Sequence, residues 1–143
     1  MISGISFSTI AHSTEDTSKV KAAILNLVPE ELRSVQKVES SPAKGHHGND
    51  IELLMLEVRG KEDAKSIVDY LIRMLPVGDR LRIRDRIHMF FDGRSTLFLR
   101  VDKQQAFLNA VRLSDSDDII RIKISILAWK ADLPFVLRIF DLS

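Results

Sequence analysis

Residues 119–128 set the geometry that the rest of the chain has to satisfy. Ile120, Ile122, Ile124 and Ile126 alternate with Arg121, Lys123 and Ser125. A period of two puts the isoleucines on one face of a strand and the polar residues on the other. A strand of that kind belongs in a sheet with one dry and one wet face, as antiparallel sheets commonly have. Residues 2–12 repeat the pattern in part, with Ile5 and Phe7 against Ser6 and Ser8.

The remaining elements follow from spacing and turn chemistry. Ser13-Thr14-Glu15-Asp16 predicts a helix start with a hydroxyl N-cap, and Val20, Ala23, Ile24 and Leu27 carry the helix over 15–27 until Pro29 closes it. A strand is expected over 33–40, followed by a loop over 41–49. Residues 50–59 read as a strand covered on both faces, with Leu53 and Met55 on one side and Leu54, Leu56 and Val58 on the other, which predicts a central position. It should pair antiparallel with 33–40. Ala64, Ile67, Val68, Leu71, Ile72 and Leu75 define the clearest helix, ended by Pro76 and Gly78. A second helix is expected over 79–91, with Ile83, Ile87 and Phe90 or Phe91 inward. Thr96 to Val101 is a strand. Asp102 then caps a helix over 103–110, with Gln105 as its capping-box partner. The tail, 132–142, starts at Asp132 and Pro134 and is apolar apart from Arg138 and Asp141. Such a helix must be buried by the domain or by a second copy of the chain, so a homodimer through 132–142 is one expectation.

With 143 residues and no repeat, low-complexity stretch or linker, the chain reads as one domain over 1–143. The fold class is α+β: a single, mostly antiparallel sheet with helices packed on one face. There are no cysteines. That excludes disulfide scaffolds and thiolate metal sites and fits a reducing, cytoplasmic setting. No signal peptide and no membrane-length apolar run are read, so no membrane partner is expected. A net charge of +1 excludes a generally basic coat for nucleic acid. Any such partner would have to meet a local basic patch.

Four groups of residues carry candidate chemistry. Arg80, Arg82, Arg84 and Arg86 fall within one helix, with Arg80 and Arg84 on a shared face. Their forked donors suit phosphate, and they also read as a solvated face paired with Asp79 and Asp85. The loop Lys44-Gly45-His46-His47-Gly48-Asn49 combines a cation, two imidazoles and glycines. It suits phosphate or base contacts, and it lacks the third ligand at a familiar spacing that a metal site needs. Arg100, Lys103 and Gln104 surround a helix start that Asp102 and Gln105 cap. Arg121 and Lys123 form a cationic strand face; Phe98, which alternates with Arg100, is read as a core residue. No nucleophile elbow or phosphate-cradling glycine loop is present. Paired histidines leave a ribonuclease reading open.

Three segments also carry a resemblance: His47-Gly48-Asn49-Asp50-Ile51; Leu97 to Ala106, with its block Arg100-Val101-Asp102-Lys103-Gln104; and Arg112-Leu113-Ser114 leading through an Asp-rich turn to Ile120-Arg121-Ile122-Lys123-Ile124. In this order they resemble an archaeal family of predicted RNA-binding proteins, often described as predicted exosome accessory subunits. The resemblance implies a fold similar to the large-subunit ribosomal protein that contacts 5S ribosomal RNA. It also implies RNA as partner, alongside exosome or other RNA-processing proteins, with no catalytic residues and no cofactor. The expectation is therefore a non-catalytic RNA binder acting through Lys44, His46, His47, Arg80, Arg84, Arg100, Lys103 and Gln104. A protein-interaction module using the apolar tail is the alternative.

Overall fold

The computed structural model describes residues 1–127 and 132–140. Five strands form one antiparallel sheet in the order β2-β3-β1-β5-β4. They are β1 (Ile2–His12), β2 (Glu39–Lys44), β3 (Asp50–Val58), β4 (Thr96–Asp102) and β5 (Ile119–Ile126). The helices are α1 (Thr17–Leu25), α2 (Glu30–Arg33), α3 (Lys61–Met74), α4 (Val77–Asp85), α5 (Lys103–Phe107) and α6 (Leu133–Ile139).

The expected alternation decides the layering. Ile5, Phe7, Leu54, Leu56, Leu97, Leu99, Ile120, Ile122 and Ile124 are all buried, and they meet Ile24, Leu27, Ile67, Leu71 and Ile83 from the helices. The opposite sheet face stays open. Leu53 is 44 % exposed and Met55 48 % exposed, so β3 is covered on one side only. It sits between β2 and β1, and β1 is the central strand.

Several element bounds differ from expectation, each because a tertiary partner wins over local pattern. The second strand lies at 39–44, not 33–40. A tight loop, in which the Gly45 N–H donates to the Asn49 carbonyl and Gly48 takes φ +79°, sets the register that pairs Lys44 with Asp50 and Glu39 with Met55. Pro42 is tolerated there because β2 is an edge strand. Helix α1 is capped by Asp16, whose carboxylate accepts from the Ser18 N–H at 2.9 Å, and not by a hydroxyl. Helix α4 stops at Asp85 and passes into a short 3-10 turn, Ile87–Met89. The chain must leave the helix there, because Phe91 bridges Leu97 and the Phe98 N–H donates to the Phe90 carbonyl at 2.7 Å. Asp102 caps α5 through the Gln105 N–H at 2.8 Å. The return half of the capping box is missing, since the Asp102 N–H donates to the Arg112 carbonyl. Both borders of β4 are thus paired, which protects an edge strand.

The apolar tail begins as expected, with Asp132 accepting from the Phe135 N–H at 2.8 Å. Val136 and Phe140 are fully buried in this domain's own core, while Leu133 stays exposed. Residues 128 and 141–142 of the expected terminal elements lie outside the described residues. Phe140→Ala should lower the unfolding free energy by about 3–5 kcal/mol, the usual cost of truncating a buried aromatic. Urea denaturation measures it.

Candidate nucleic-acid interface

The open sheet face presents two short rows of side chains that run across the strands. Met55 stands beside Ser8, Ser8 beside Arg121, and Arg121 beside Arg100. The next row runs from Glu57 through Ser6 and Lys123 to Phe98. The β4–β5 side of the face is therefore cationic, with an aromatic ring in its midst. The β1–β3 side carries exposed Ile10, Leu53 and Met55. Phe98 is 41 % exposed on this wet face and is not a core residue, which corrects the sequence reading. Its alternation with Arg100 was the available signal.

Arg100 and Arg121 are directly paired like charges, an arrangement that costs roughly 0.2–1 kcal/mol relative to a neutral pair. Arg100 donates to the Ser116 carbonyl at 2.8 Å. The side chains of Arg121 and Lys123 have no hydrogen-bond or ion-pair partner among the described residues. Two hollows adjoin at this pair. One, of about 420 Å³, lies toward Phe90, Phe98 and Arg82, and the other, of about 580 Å³, toward Ile10, Leu53 and Met55; Arg100 and Arg121 border both.

The remaining candidates are dispersed. Arg80 lines a separate hollow with Arg73, Glu31 and Ile139 in the helical layer, so it does not join Arg100. Arg84 is exposed and lies 3.5 Å from Asp85. From the arginine run it is Arg82 that reaches the Arg100 region, where Asp115 holds it at 2.9 and 3.2 Å. Lys44 is paired across the hairpin with Asp50. His46 and His47 sit exposed at the hairpin tip with ring centroids 5.2 Å apart. That hairpin edges β2, at the other side of the sheet from β4, roughly 19 Å away at ordinary strand spacing. Among the described residues no three potential metal ligands converge.

Lys103 has a different role from the one its sequence context suggests. It is 4 % exposed, and its ammonium donates to the Ile10 carbonyl at 2.7 Å and pairs with Glu15 at 3.2 Å and Asp118 at 3.0 Å. Facing inward, it cannot meet a phosphate. It ties the end of β1, the start of α1 and the acidic turn 115–118 to the start of α5. Gln104 completes the tie, its amide donating to Asp118 at 3.0 Å. Burial pushes the Asp118 carboxyl up, but hydrogen bonds from Gln104 and Lys103 and the ammonium charge outweigh it, leaving the group below its ordinary value of 3.8. The turn so anchored is the one that holds Arg82 and Arg100.

A family model described as RNA binding matches residues 4–126. An uncharacterized protein of Methanocaldococcus jannaschii is 34% identical over 125 residues, covering 85% of this chain and 82% of its own. An RNA-binding protein of Pyrococcus abyssi is 30% identical over 122 residues, covering 85% of this chain and 79% of its own. Among solved structures, a DUF54 protein from Archaeoglobus fulgidus is 30% identical with TM-score 0.81 over 96% of both chains. A second, from Methanothermobacter thermautotrophicus, is 26% identical with TM-score 0.76 over 99% of both.

Lys103→Ala should lower the unfolding free energy by about 2–4 kcal/mol in urea denaturation, less than for a fully buried pair because Asp118 is half-exposed. The acid limb has a definite sign. A carboxyl depressed in the folded state stabilises above its unfolded pKa and loses that contribution as pH falls through the folded one. Melting temperature should thus fall as pH drops below about 4, where free carboxyls titrate. Asp118→Asn should lower it at neutral pH and make its acid decline shallower.

Proposed function

The chain belongs to the family described as RNA binding, and on that premise we propose that it holds RNA on the open face of its sheet, through phosphate contacts from Arg100, Arg121 and Lys123 and without catalysing a reaction. The observation that carries this is the Arg100–Arg121 pair. Two arginines in register on neighbouring strands place like charges close together on a wet face, and an anion bound between them turns that cost into attraction. Arg121 and Lys123, with no acceptor among the described residues, have all their donors to offer. Arg82 joins at the β4 edge once its carboxylate partner yields. The RNA-binding name of the Pyrococcus abyssi relative supports the same reading. Lys103 and Gln104 act as positioning residues for the acidic turn. An accessory role in RNA processing or degradation, beside the exosome, is the setting we propose on the resemblance alone.

Binding of this type is driven by counterion release, so affinity should fall steeply with salt. Arg100→Glu/Arg121→Glu should weaken binding of a short RNA about tenfold or more at low salt. On a single strand it should also flatten the log–log salt slope by roughly 0.7 for each phosphate no longer neutralised. Arg80→Glu/Arg84→Glu should change affinity by no more than about twofold, since neither group reaches the face. Fluorescence anisotropy at two salt concentrations reads both. The reverse ranking would remove the sheet face as the site.

A further inference from the structure

The open face does not end flat at β4. The chain leaving α4 lays Phe90 along one part of that strand, and the segment ending in Ser114 follows another part, its N–H donating to the Arg100 carbonyl at 3.0 Å. Between these borders lies the cleft of about 420 Å³. Phe98, Phe90 and Met89 line it together with Arg82, Arg100 and Arg121. Phe98 and Met89 are 41 % and 61 % exposed, large apolar groups that the domain's own core leaves uncovered. Ligand pockets run from roughly 300 to 1,000 Å³, so this one suits a single small planar group and not a helix.

The chemistry narrows the occupant further. Aromatic side chains in the lining favour a flat ring, and three cations in the same lining favour a ring that carries phosphates beside it. Asp115 is the acid in the lining, bound to Arg82. A carboxylate there disfavours phosphate and can accept from a base N–H, which leaves phosphates to Arg100 and Arg121. We infer that the cleft takes one unpaired base of the bound RNA, stacked on Phe98, so that the protein selects RNA with unpaired nucleotides over continuous duplex. In a duplex both faces of each base are covered by its neighbours, and only the backbone and groove edges remain to be read. This inference rests on the RNA reading of the open face and specifies which RNA that face accepts.

The test uses three short RNAs: a single strand, a duplex with one bulged nucleotide, and the same duplex without the bulge. A fluorescent adenine analogue occupies the unpaired position. At one salt concentration the two RNAs with unpaired bases should bind about tenfold more tightly than the continuous duplex, within the range that stacking on one aromatic side chain supplies. The analogue's emission should change on binding. Phe98→Leu should erase both the preference and the emission change while keeping the salt slope, and Phe98→Tyr should keep all three. Equal binding of the three RNAs, or a preference that survives Phe98→Leu with an unchanged melting temperature, overturns the base cleft and leaves the phosphate reading standing. No binding of any RNA at low salt overturns both.

Discussion

Alternation along β1 and β5 commits the apolar side chains of these two inner strands largely to one side, and the helices have only that side to cover. Everything else in the molecule is arranged around this commitment. Helices α1 and α3 bring Ile24, Ile67 and Leu71 onto the isoleucine face, and α6 with its C-cap adds Val136 and Phe140. A one-residue slip of register would drive Arg121 and Lys123 into the core and the isoleucines into water, so the pairing has little freedom. The uncovered face is the necessary counterpart of that core. What this chain places there is uneven: Ile10, Leu53 and Met55 on one half, Arg100, Arg121 and Lys123 around Phe98 on the other.

The cationic half depends on an acidic turn for its shape. Asp115 and the Ser116 carbonyl hold Arg82 and Arg100, while Lys103 and Gln104 hold Asp118 from beneath. Lys103 has three acceptors around one buried ammonium, an arrangement that is costly to break from either side. The turn therefore has a rigid footing and an exposed rim. Of the cations on this side only Arg82 is held by a carboxylate, Asp115, while Arg100 leans on a backbone carbonyl; a cationic half-face therefore coexists with a net charge of only +1 because the balancing acids lie elsewhere on the chain.

Strand alternation and helix periodicity were legible from residue order, because each is a local repeat that burial then enforces. Ile120 to Ile126 and Ala64 to Leu71 are cases where local pattern and tertiary need agree. The position of β2 was not legible, since a Ser-Ser-Pro segment becomes a strand only when a neighbour's edge and a hairpin register recruit it. The end of α4 was hidden for the same reason, as Phe90 and Phe91 are claimed by β4. Arg100 was expected beside a helix start that Asp102 caps, and it stands there, partly exposed, on the β4 edge of the open face. Lys103, one residue past Asp102, looked equivalent, and only the return of β1 and the acidic turn reveals that it points inward. Arg80 and Arg84 were grouped by helical spacing, which says which residues share a face but not where the face looks.

The central claim is that RNA lies on the β4–β5 half of the open face. NMR shift mapping, with backbone amide and arginine side-chain N–H signals followed as a short RNA is added, tests it most directly. With RNA on that half, Phe98, Arg100, Arg121 and Lys123 shift together, with Arg82 following, while Arg73 and Arg80 in the helical layer stay still. Shifts gathered on Arg73 and Arg80, with β5 silent, would contradict it.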